Sequence, residues 1–548
     1  RTLGPPLVIV AAVFLTYVFF GDAAWVPDAI RWAGASLNKA MGHMMLTEEG
    51  VFGIALGVST KFVFLFVLFG SLLDKAGAGN YFIQVAFSLL GHLRGGPAKA
   101  AVVASGMTGL ISGSSIANVV TTGTFTVPLM KRVGFSSEKA GAVEVASSVN
   151  GQIMPPVMGA AAFLMVEYIG IPYTDVIRHA FLPAVISYIA LIYIVHLEAM
   201  KAGMQGLEKR PDPRSTSQRL LAWGIIVCSI LIVAGGTYFI VETLKPILGA
   251  IGPWFFGSVL MAVYVGLVWF GAQYPELGMD DPNSEIVTLP EVGPTVKSGL
   301  HFILPIVVLV WCLMIERLSP ALSAFWAAAF MIVIILTQRP LFALFRGRGA
   351  LGGAGMQGLE DLFNGLVTGA RNMIGIGIAT ATAGIIVGTV TLTGVGLVLA
   401  NFVEILSGGQ VLIMLILVAV LSLILGMGLP TTANYIVVSS LMAPVVVALG
   451  AKSGLIVPLI AVHLFVFYFG IMADVTPPVG LASFAAAAVS GGDPIKTGFT
   501  AFFYSMRTAA LPFIFIFNTE LLLIGITGPV DLVITVVTAT IAMLVFAA

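Results

Sequence analysis

Asp474 stands inside an apolar run, three residues ahead of the pair Pro477-Pro478. A carboxylate at the centre of a membrane helix costs about 2.5–3.5 kcal/mol on insertion scales, so such a residue is kept for an ion, a proton or the capping of a broken helix. Two further stretches, Gly113–Asn118 and Gly428–Asn434, set hydroxyls, amides and loosened backbone carbonyls among apolar residues. Hard cations such as Na⁺ take oxygen ligands of this kind, and the N-termini of half-helices favour anionic groups. Ser, Thr and Gly also let membrane helices pack closely. Two such tips combined with two Pro-Pro pairs favour a site over packing alone.

These stretches belong to a duplication. Ser114-Ser-Ile-Ala-Asn118 resembles Pro430-Thr-Thr-Ala-Asn434; Asn118 precedes Pro128 by ten residues and Gly134 by sixteen, and Asn434 precedes Pro444 and Gly450 by the same distances. Met154-Pro155-Pro156-Val157 answers Thr476-Pro477-Pro478-Val479, and the first proline of each pair lies seventeen residues before Pro172 and Pro494. In this alignment the partner of Asp474 is Gln152, so one copy alone carries an ionisable group at the break. Proline removes a backbone donor and frees a carbonyl, and unpaired groups cost several kcal/mol in lipid, so both breaks must face protein, water or a ligand.

The elements that hold these residues are apolar almost throughout. Of the 548 residues 58% are hydrophobic and 9% charged. Soluble domains carry about 25% charged residues. Apolar stretches of about 20 residues, enough to cross a hydrocarbon core, recur along nearly the whole chain. The expected organisation is an N-terminal helix and interfacial segment over 1–49, with Trp25 and Trp32 at the membrane surface. A first repeat follows over 50–200, with a hairpin at 98–133 and a broken helix at 140–169. A connecting loop and scaffold helices occupy 201–360. A second repeat runs over 361–525, with a hairpin at 411–449 and a broken helix at 453–490, and a last helix over 526–548. Helices are expected at Leu220–Ile240, Ile247–Phe270, Leu300–Leu318 and Pro320–Leu336, and the glycines of 349–355 read as a flexible loop.

Lys201, Lys209, Arg210, Arg214 and Arg219 mark one loop as cytoplasmic under the positive-inside rule, and the loop with Arg339, Arg346 and Arg348 agrees with it. The acidic loop with Asp280, Asp281 and Glu285 is then cytoplasmic as well. Counting crossings, the first hairpin enters and leaves on the cytoplasmic side and the second on the outer side. The copies are therefore expected to be inverted, an arrangement in which transporters bind substrate and ions near the midplane between discontinuous helices.

Other classes lack their signatures. Lys+Arg and Asp+Glu are both 26, so no basic field draws nucleic acid. No Gly-x-x-x-x-Gly-Lys-Ser/Thr loop supports ATP hydrolysis, which leaves an ion gradient as the energy source. No metalloenzyme spacing or hydrolase arrangement stands out, so the chain reads as a carrier with no catalytic residue and no cofactor; an intramembrane enzyme is the distant alternative. Cys228 and Cys312 lie in apolar runs and read as packing residues. Glu144, Glu167 and His463 read as structural, and Arg178, Arg371 and Arg507 as topology determinants that are also able to neutralise an acidic substrate. The opening on Arg1 and the apolar close at Ala548 suggest further residues at both ends.

The run from Gly113 to Arg132, the break Gly151-Gln-Ile-Met-Pro-Pro-Val-Met-Gly159, and the pair Gly426-Met-Gly-Leu-Pro-Thr-Thr-Ala-Asn434 and Asp474-Val-Thr-Pro-Pro-Val-Gly480 resemble the large membrane subunit of tripartite ATP-independent periplasmic (TRAP) transporters, most of all its TAXI branch. The resemblance implies an all-α polytopic membrane protein of the ion-transporter superfamily: an inverted-topology repeat with two re-entrant helical hairpins and two discontinuous helices, working as an elevator-type transporter. It implies a bacterial or archaeal inner membrane, a small organic anion as substrate, an extracytoplasmic solute-binding protein, and a small four-helix membrane subunit, separate or fused. It implies coupling to Na⁺ or H⁺, with Na⁺ suited to the hairpin tips and helix breaks. On matching positions it points to Ser114, Ser115, Asn118, Asn150, Thr431, Thr432, Asn434, Asp474 and Thr476, beside Gln152 and the helix-break prolines Pro155, Pro156, Pro477 and Pro478. A carboxylate carrier or ion antiporter that needs no binding protein is the alternative.

Overall fold

The structure, a computed structural model, describes residues 5–208, 215–277, 289–347, 351–427, 429, 431–452, 454–477 and 480–548. Among these residues every regular element is helical, and eight helices are long and apolar enough to cross a membrane. An N-terminal helix, Pro5–Phe20, leads to a short surface segment in which Trp25 is exposed and Trp32 Nε1 donates to the Tyr17 carbonyl at 2.9 Å. The helix Leu37–Leu46 follows, capped by the Ser36 hydroxyl.

From there one succession of elements occurs twice. The first runs Ile54–Lys75, Ala78–Leu90, the hairpin arms Gly96–Ser112 and Ser115–Arg132, the broken pair Ser137–Gly151 and Ala161–Ile169, and the long helix Tyr173–Lys201. The second runs Leu351–Thr393, Val395–Ser407, the arms Val411–Gly426 and Thr431–Lys452, the broken pair Leu459–Met472 and Leu481–Ser490, and Pro494–Phe517. Local chemistry sets the matching ends. Each broken pair stops at a glycine in the left-handed region, Gly170 at φ +74° and Gly491 at φ +72°, where a Cβ would be strained. Each following helix is launched by a proline, Pro172 or Pro494, whose missing N–H costs nothing there.

Packing interleaves the two copies. Leu481–Ser490 lies against the arm Ser115–Arg132 and against Ser137–Gly151, and Ala161–Ile169 lies against Thr431–Lys452 and Leu459–Met472. Each broken span thus delivers its second half to the other copy, which draws the two breaks and the two hairpin tips together in one buried core.

The linking helices are different in character. Along the most apolar stretch of Leu220–Ala272 none of the residues is buried, and Leu231, Ile232, Val233 and Phe239 stand open. An apolar surface of this extent requires lipid or a partner protein.

Several expected boundaries shift. The helix Thr216–Leu248 continues past Ile240 and through Ile247, and the bend falls at Gly249–Ile251; Pro246 is tolerated because it stands in the last turn. Arg339 is not in a loop but inside Pro320–Phe345, where it pairs with Asp361 at 2.7 Å. The glycines expected as a loop are helical from Leu351 onward, and Leu351–Thr393 runs 43 residues, across position 361. Isolated glycines weaken a helix by about 1 kcal/mol each. Here Gly365 and Gly369 let the helix approach Leu72 and Leu68, where a Cβ would come within 2.9 Å of each side chain. Lys209, Arg210, Arg214, Asp280, Asp281, Glu285, Arg348, Gly349, Gly428, Pro430 and Pro478 fall outside the described residues.

Candidate functional site

Four of the expected residues meet at one point. Ser115, first in the arm after the first hairpin tip, donates from Oγ to Asp474 Oδ2 at 2.7 Å. Thr431, first in the arm after the second tip, donates from Oγ1 to the same oxygen at 3.0 Å. Gln152, at the first break, donates from Nε2 to Thr431 Oγ1 at 3.0 Å. Ser115 and Gln152 are each 1% exposed and Asp474 3%. Ser115 and Thr431 occupy equivalent positions in the duplication, as do Gln152 and Asp474. The junction is therefore two pseudo-symmetric pairs that touch, with one carboxylate at its centre. Its donor set is oxygen and amide only, which can hold a proton on Asp474 or a hard monovalent cation beside it.

The backbone around the junction is close-packed through glycine. A Cβ on Gly113, at the first tip, would lie 2.6 Å from the Gly159 Cα, and one on Gly109 would lie 2.5 Å from the Gly151 Cα. The first tip thus rests directly on the first break. Tyr173 supports that break from the other side, donating to the Pro156 carbonyl, with the Val157 carbonyl at 3.3 Å. Its ring stacks on Phe163 at 4.8 Å and 11°. Pro155 is buried and Pro156 and Pro477 are half-buried.

Three asparagines organise the surroundings. Asn118 donates from Nδ2 to the Ser105 carbonyl at 3.1 Å and to its hydroxyl at 2.7 Å, and accepts at Oδ1 from Thr108 at 2.7 Å. It ties the two arms of the first hairpin together. Asn434 donates to the Gly470 carbonyl at 2.5 Å, which fastens the second hairpin to its broken helix, while its Oδ1 has no partner. Asn150 accepts from Ser187 at 3.1 Å and Thr508 at 3.3 Å, and its Nδ2 has no partner. Beside it Arg507, 1% exposed, donates to the Ser187 carbonyl at 3.0 Å and to the Tyr504 carbonyl. Arg507 Nη2 is unpartnered, and no ion pair reaches it among the described residues.

The remaining candidates stay apart from the junction. Ser114 caps the arm that begins at Ser115, Thr476 returns its hydroxyl to the Met472 carbonyl at 2.7 Å, and Thr432 is half-buried. Glu167, Arg178 and Arg371 are exposed, and His463 Nδ1 lies 2.7 Å from the Tyr435 hydroxyl. A surface cleft of about 470 Å³ lined by Phe62, Tyr173, Asp175 and Arg317 includes none of the candidates. Sequence reading passed over Ser105, Thr122, Thr126, Ser148 and Tyr173. Asn118, Thr122 and Thr126 recur every fourth residue on one helix, a spacing that marks a single polar face and was the available signal.

Comparison with known proteins gives the family of the chain. A family model described as "Tripartite ATP-independent periplasmic transporter, DctM component" matches residues 1–253 and 245–529. The C4-dicarboxylate TRAP transporter large permease protein DctM of Rhodobacter capsulatus is 31% identical over 186 residues, covering 32% of this chain and 42% of that protein. The sialic acid TRAP transporter permease protein SiaT of Haemophilus influenzae is 25% identical over 170 residues, covering 31% and 27%. The aligned stretch spans less than half the length of each of these relatives. The crystal structure of the YdaH transporter of Alcanivorax borkumensis aligns with 94% of this chain and 98% of its own at 15% identity, with a TM-score of 0.45, too low to carry weight. On the family match over nearly its whole length, the chain belongs to the DctM component family of the tripartite ATP-independent periplasmic transporters, a family of transporters and not of enzymes.

Proposed function

We propose that this chain is the translocating subunit of a secondary importer for a small organic anion, a carboxylate or an amino-acid-like compound, in a bacterial inner membrane. The observation that carries the reading is the junction itself: both hairpin tips and both helix breaks converge on one buried carboxylate, Asp474. A gradient of Na⁺ or H⁺ drives transport, and the coupling ion binds at this junction among Ser115, Gln152, Thr431 and Asp474. Ser114, Asn118, Asn150, Thr432, Asn434 and Thr476 complete the ion and substrate sites at the tips and breaks. The hairpins and broken spans form the mobile body of an elevator, and the exposed helices between the copies form its scaffold. An extracytoplasmic binding protein of the TAXI type delivers the substrate, and a small four-helix subunit, separate or fused, accompanies the chain. The names of two relatives, which specify C4-dicarboxylates and sialic acid, support an acidic substrate.

The test is uptake of labelled small carboxylates and amino acids into proteoliposomes. It is run with and without the binding protein, under an imposed Na⁺ or H⁺ gradient, for the wild type and Asp474→Asn. Uptake that needs both the binding protein and one gradient, and that Asp474→Asn uncouples, is the expected result. Uptake without any binding protein would replace this reading with that of a stand-alone carrier, and unchanged coupling in Asp474→Asn would reduce Asp474 to a cap of the broken helix.

A further inference from the structure

Glu144 lies in the middle of Ser137–Gly151 and is wholly buried, with no ion pair among the described residues. Its carboxyl is lined by hydroxyls. Oε1 meets Thr122 Oγ1 and, at 3.5 Å, Ser148 Oγ, and Oε2 meets Thr126 Oγ1 at 2.5 Å. Both threonines also sit on carbonyls of their own helix, Thr122 on that of Asn118 at 2.7 Å and Thr126 on that of Thr122 at 3.0 Å.

A hydroxyl has one hydrogen to give. With Glu144 ionised, the two threonine hydrogens face four acceptors, and two of the contacts are between bare oxygens. A proton on the carboxyl supplies a third donor and lets one threonine turn its own hydrogen to its carbonyl.

The site is connected to the junction. Ser148 Oγ lies 3.2 Å from Ser105 Oγ, which accepts from Asn118 Nδ2 at 2.7 Å. The Asn118 N–H donates to the Ser114 carbonyl at 3.0 Å, and the next residue, Ser115, holds Asp474. On the neighbouring helices, the Tyr188 phenol donates to the Ser147 carbonyl at 3.4 Å and Arg507 is engaged by the Ser187 and Tyr504 carbonyls, so neither makes a hydrogen bond or ion pair with Glu144. Tyr504 lies one turn before Arg507 on Pro494–Phe517 and makes no hydrogen bond to Glu144. No titratable residue occurs between Leu481 and Ser490, and those of the hairpin arms, Lys99, Lys131 and Arg132, sit in the end turns. The duplication is asymmetric here too: Glu144 stands eleven residues before Pro155, and the residue eleven before Pro477 is Val466.

We propose that Glu144 is a second proton-binding site of this chain, protonated in the present conformation and linked to the Asp474 junction through Ser148, Ser105 and Asn118. The role in transport rests on the carrier reading above; the protonation does not. The proton exchanges with solvent during the cycle, so Glu144 contributes to the coupling of transport to the proton gradient.

Infrared spectroscopy of the purified protein in lipid, recorded across pH, tests the protonation. The wild type is expected to show a protonated-carboxyl band at neutral pH that Glu144→Gln abolishes and that fades reversibly as pH rises. Thr122→Val keeps the carboxyl and should shift the band, which secures the assignment if Glu144→Gln fails to fold. No such band at neutral pH would overturn the proposal, and so would a band that persists at every pH short of unfolding, because the group would then be a fixed structural acid. In proteoliposomes Glu144→Gln is expected to keep substrate exchange and lose accumulation driven by a pH gradient; unchanged accumulation would overturn the coupling role. If the wild type moves no substrate, the carrier reading fails while the infrared result still decides the proton.

Discussion

Ser115→Ala is the sharpest probe of the junction. The substitution removes the shorter of the two hydrogen bonds to Asp474 Oδ2, 2.7 Å against 3.0 Å, between groups 1% and 3% exposed, so water does not readily replace it. A hydrogen bond to an ionised group contributes about 1.5–3 kcal/mol and one between neutral groups about 0.5–1.5 kcal/mol, so the size of the loss also reports the charge on Asp474. Thr431→Val removes the second donor. Because the two hydroxyls share one acceptor oxygen, their effects should not add, and the double variant should lose more than the sum as both hydroxyl donors to that oxygen are gone. The assay is unfolding of the purified protein in one detergent, for the single variants, the double variant and their combinations with Asp474→Asn. Ser115→Ala is expected to cost about 1.5–3 kcal/mol. Its coupling to Asp474→Asn should be about 1 kcal/mol, the difference between a charge-assisted and a neutral bond. The exposed Thr124→Val should stay within about 0.5 kcal/mol of the wild type. A Ser115→Ala cost no larger than that of Thr124→Val, together with a coupling of zero, would refute the convergence of the tips and breaks, and with it the site; a coupling of zero beside a cost of about 0.5–1.5 kcal/mol would mean that Asp474 is protonated.

Gly113→Ala should destabilise the protein by about 1–3 kcal/mol, since its Cβ would fall 2.6 Å from the Gly159 backbone at a positive φ; an unchanged melting temperature would mean the tip does not rest on the break. Asn118→Ala should cost about 0.5–1.5 kcal/mol by removing its bonds to Ser105 and Thr108, because Ser105 keeps the Ser148 hydroxyl and Thr108 keeps the Ala104 and Ser105 carbonyls, and a cost equal to that of an exposed substitution would deny the tie between the arms. Arg507→Met should leave stability unchanged or raise it by about 1–4 kcal/mol, because a buried ion without a counter-charge is replaced by an apolar side chain. A clear fall in melting temperature would show that its bonds to the Ser187 and Tyr504 carbonyls outweigh desolvation. Tyr173→Phe, which removes the donor to the Pro156 carbonyl, should cost about 0.5–1.5 kcal/mol, and a neutral result would leave that carbonyl satisfied by water.

Much of the site was legible because proline and glycine punctuate a chain whose hydropathy is otherwise uniform. Pro155-Pro156 and Pro477-Pro478 marked the breaks, and the matched intervals to Pro128 and Pro444 and to Pro172 and Pro494 fixed the register of the copies. That register already paired Ser115 with Thr431 and Gln152 with Asp474. Reading failed where a residue type has two uses. The glycines after Gly349 resembled a loop and proved to be helical from Leu351, because in a long packed helix glycine serves close approach rather than flexibility. Arg339 was expected in a loop and lies inside a helix, paired with Asp361.

By itself the sequence determined the apolar class, the succession of helices, the duplication and the polar points within it, since each follows from composition, periodicity and spacing along one dimension. Only the tertiary structure decided that Ser115 and Asp474, 359 residues apart, share a hydrogen bond. It alone decided that Glu144 faces three hydroxyls and, among the described residues, no ion-pair partner, and that Arg507 keeps an unused donor. The physical reason is that a helix's pattern tells which side is polar but not what that side meets. The partner is set by how the broken spans exchange their second halves between the copies, and that exchange leaves no mark on either segment read alone.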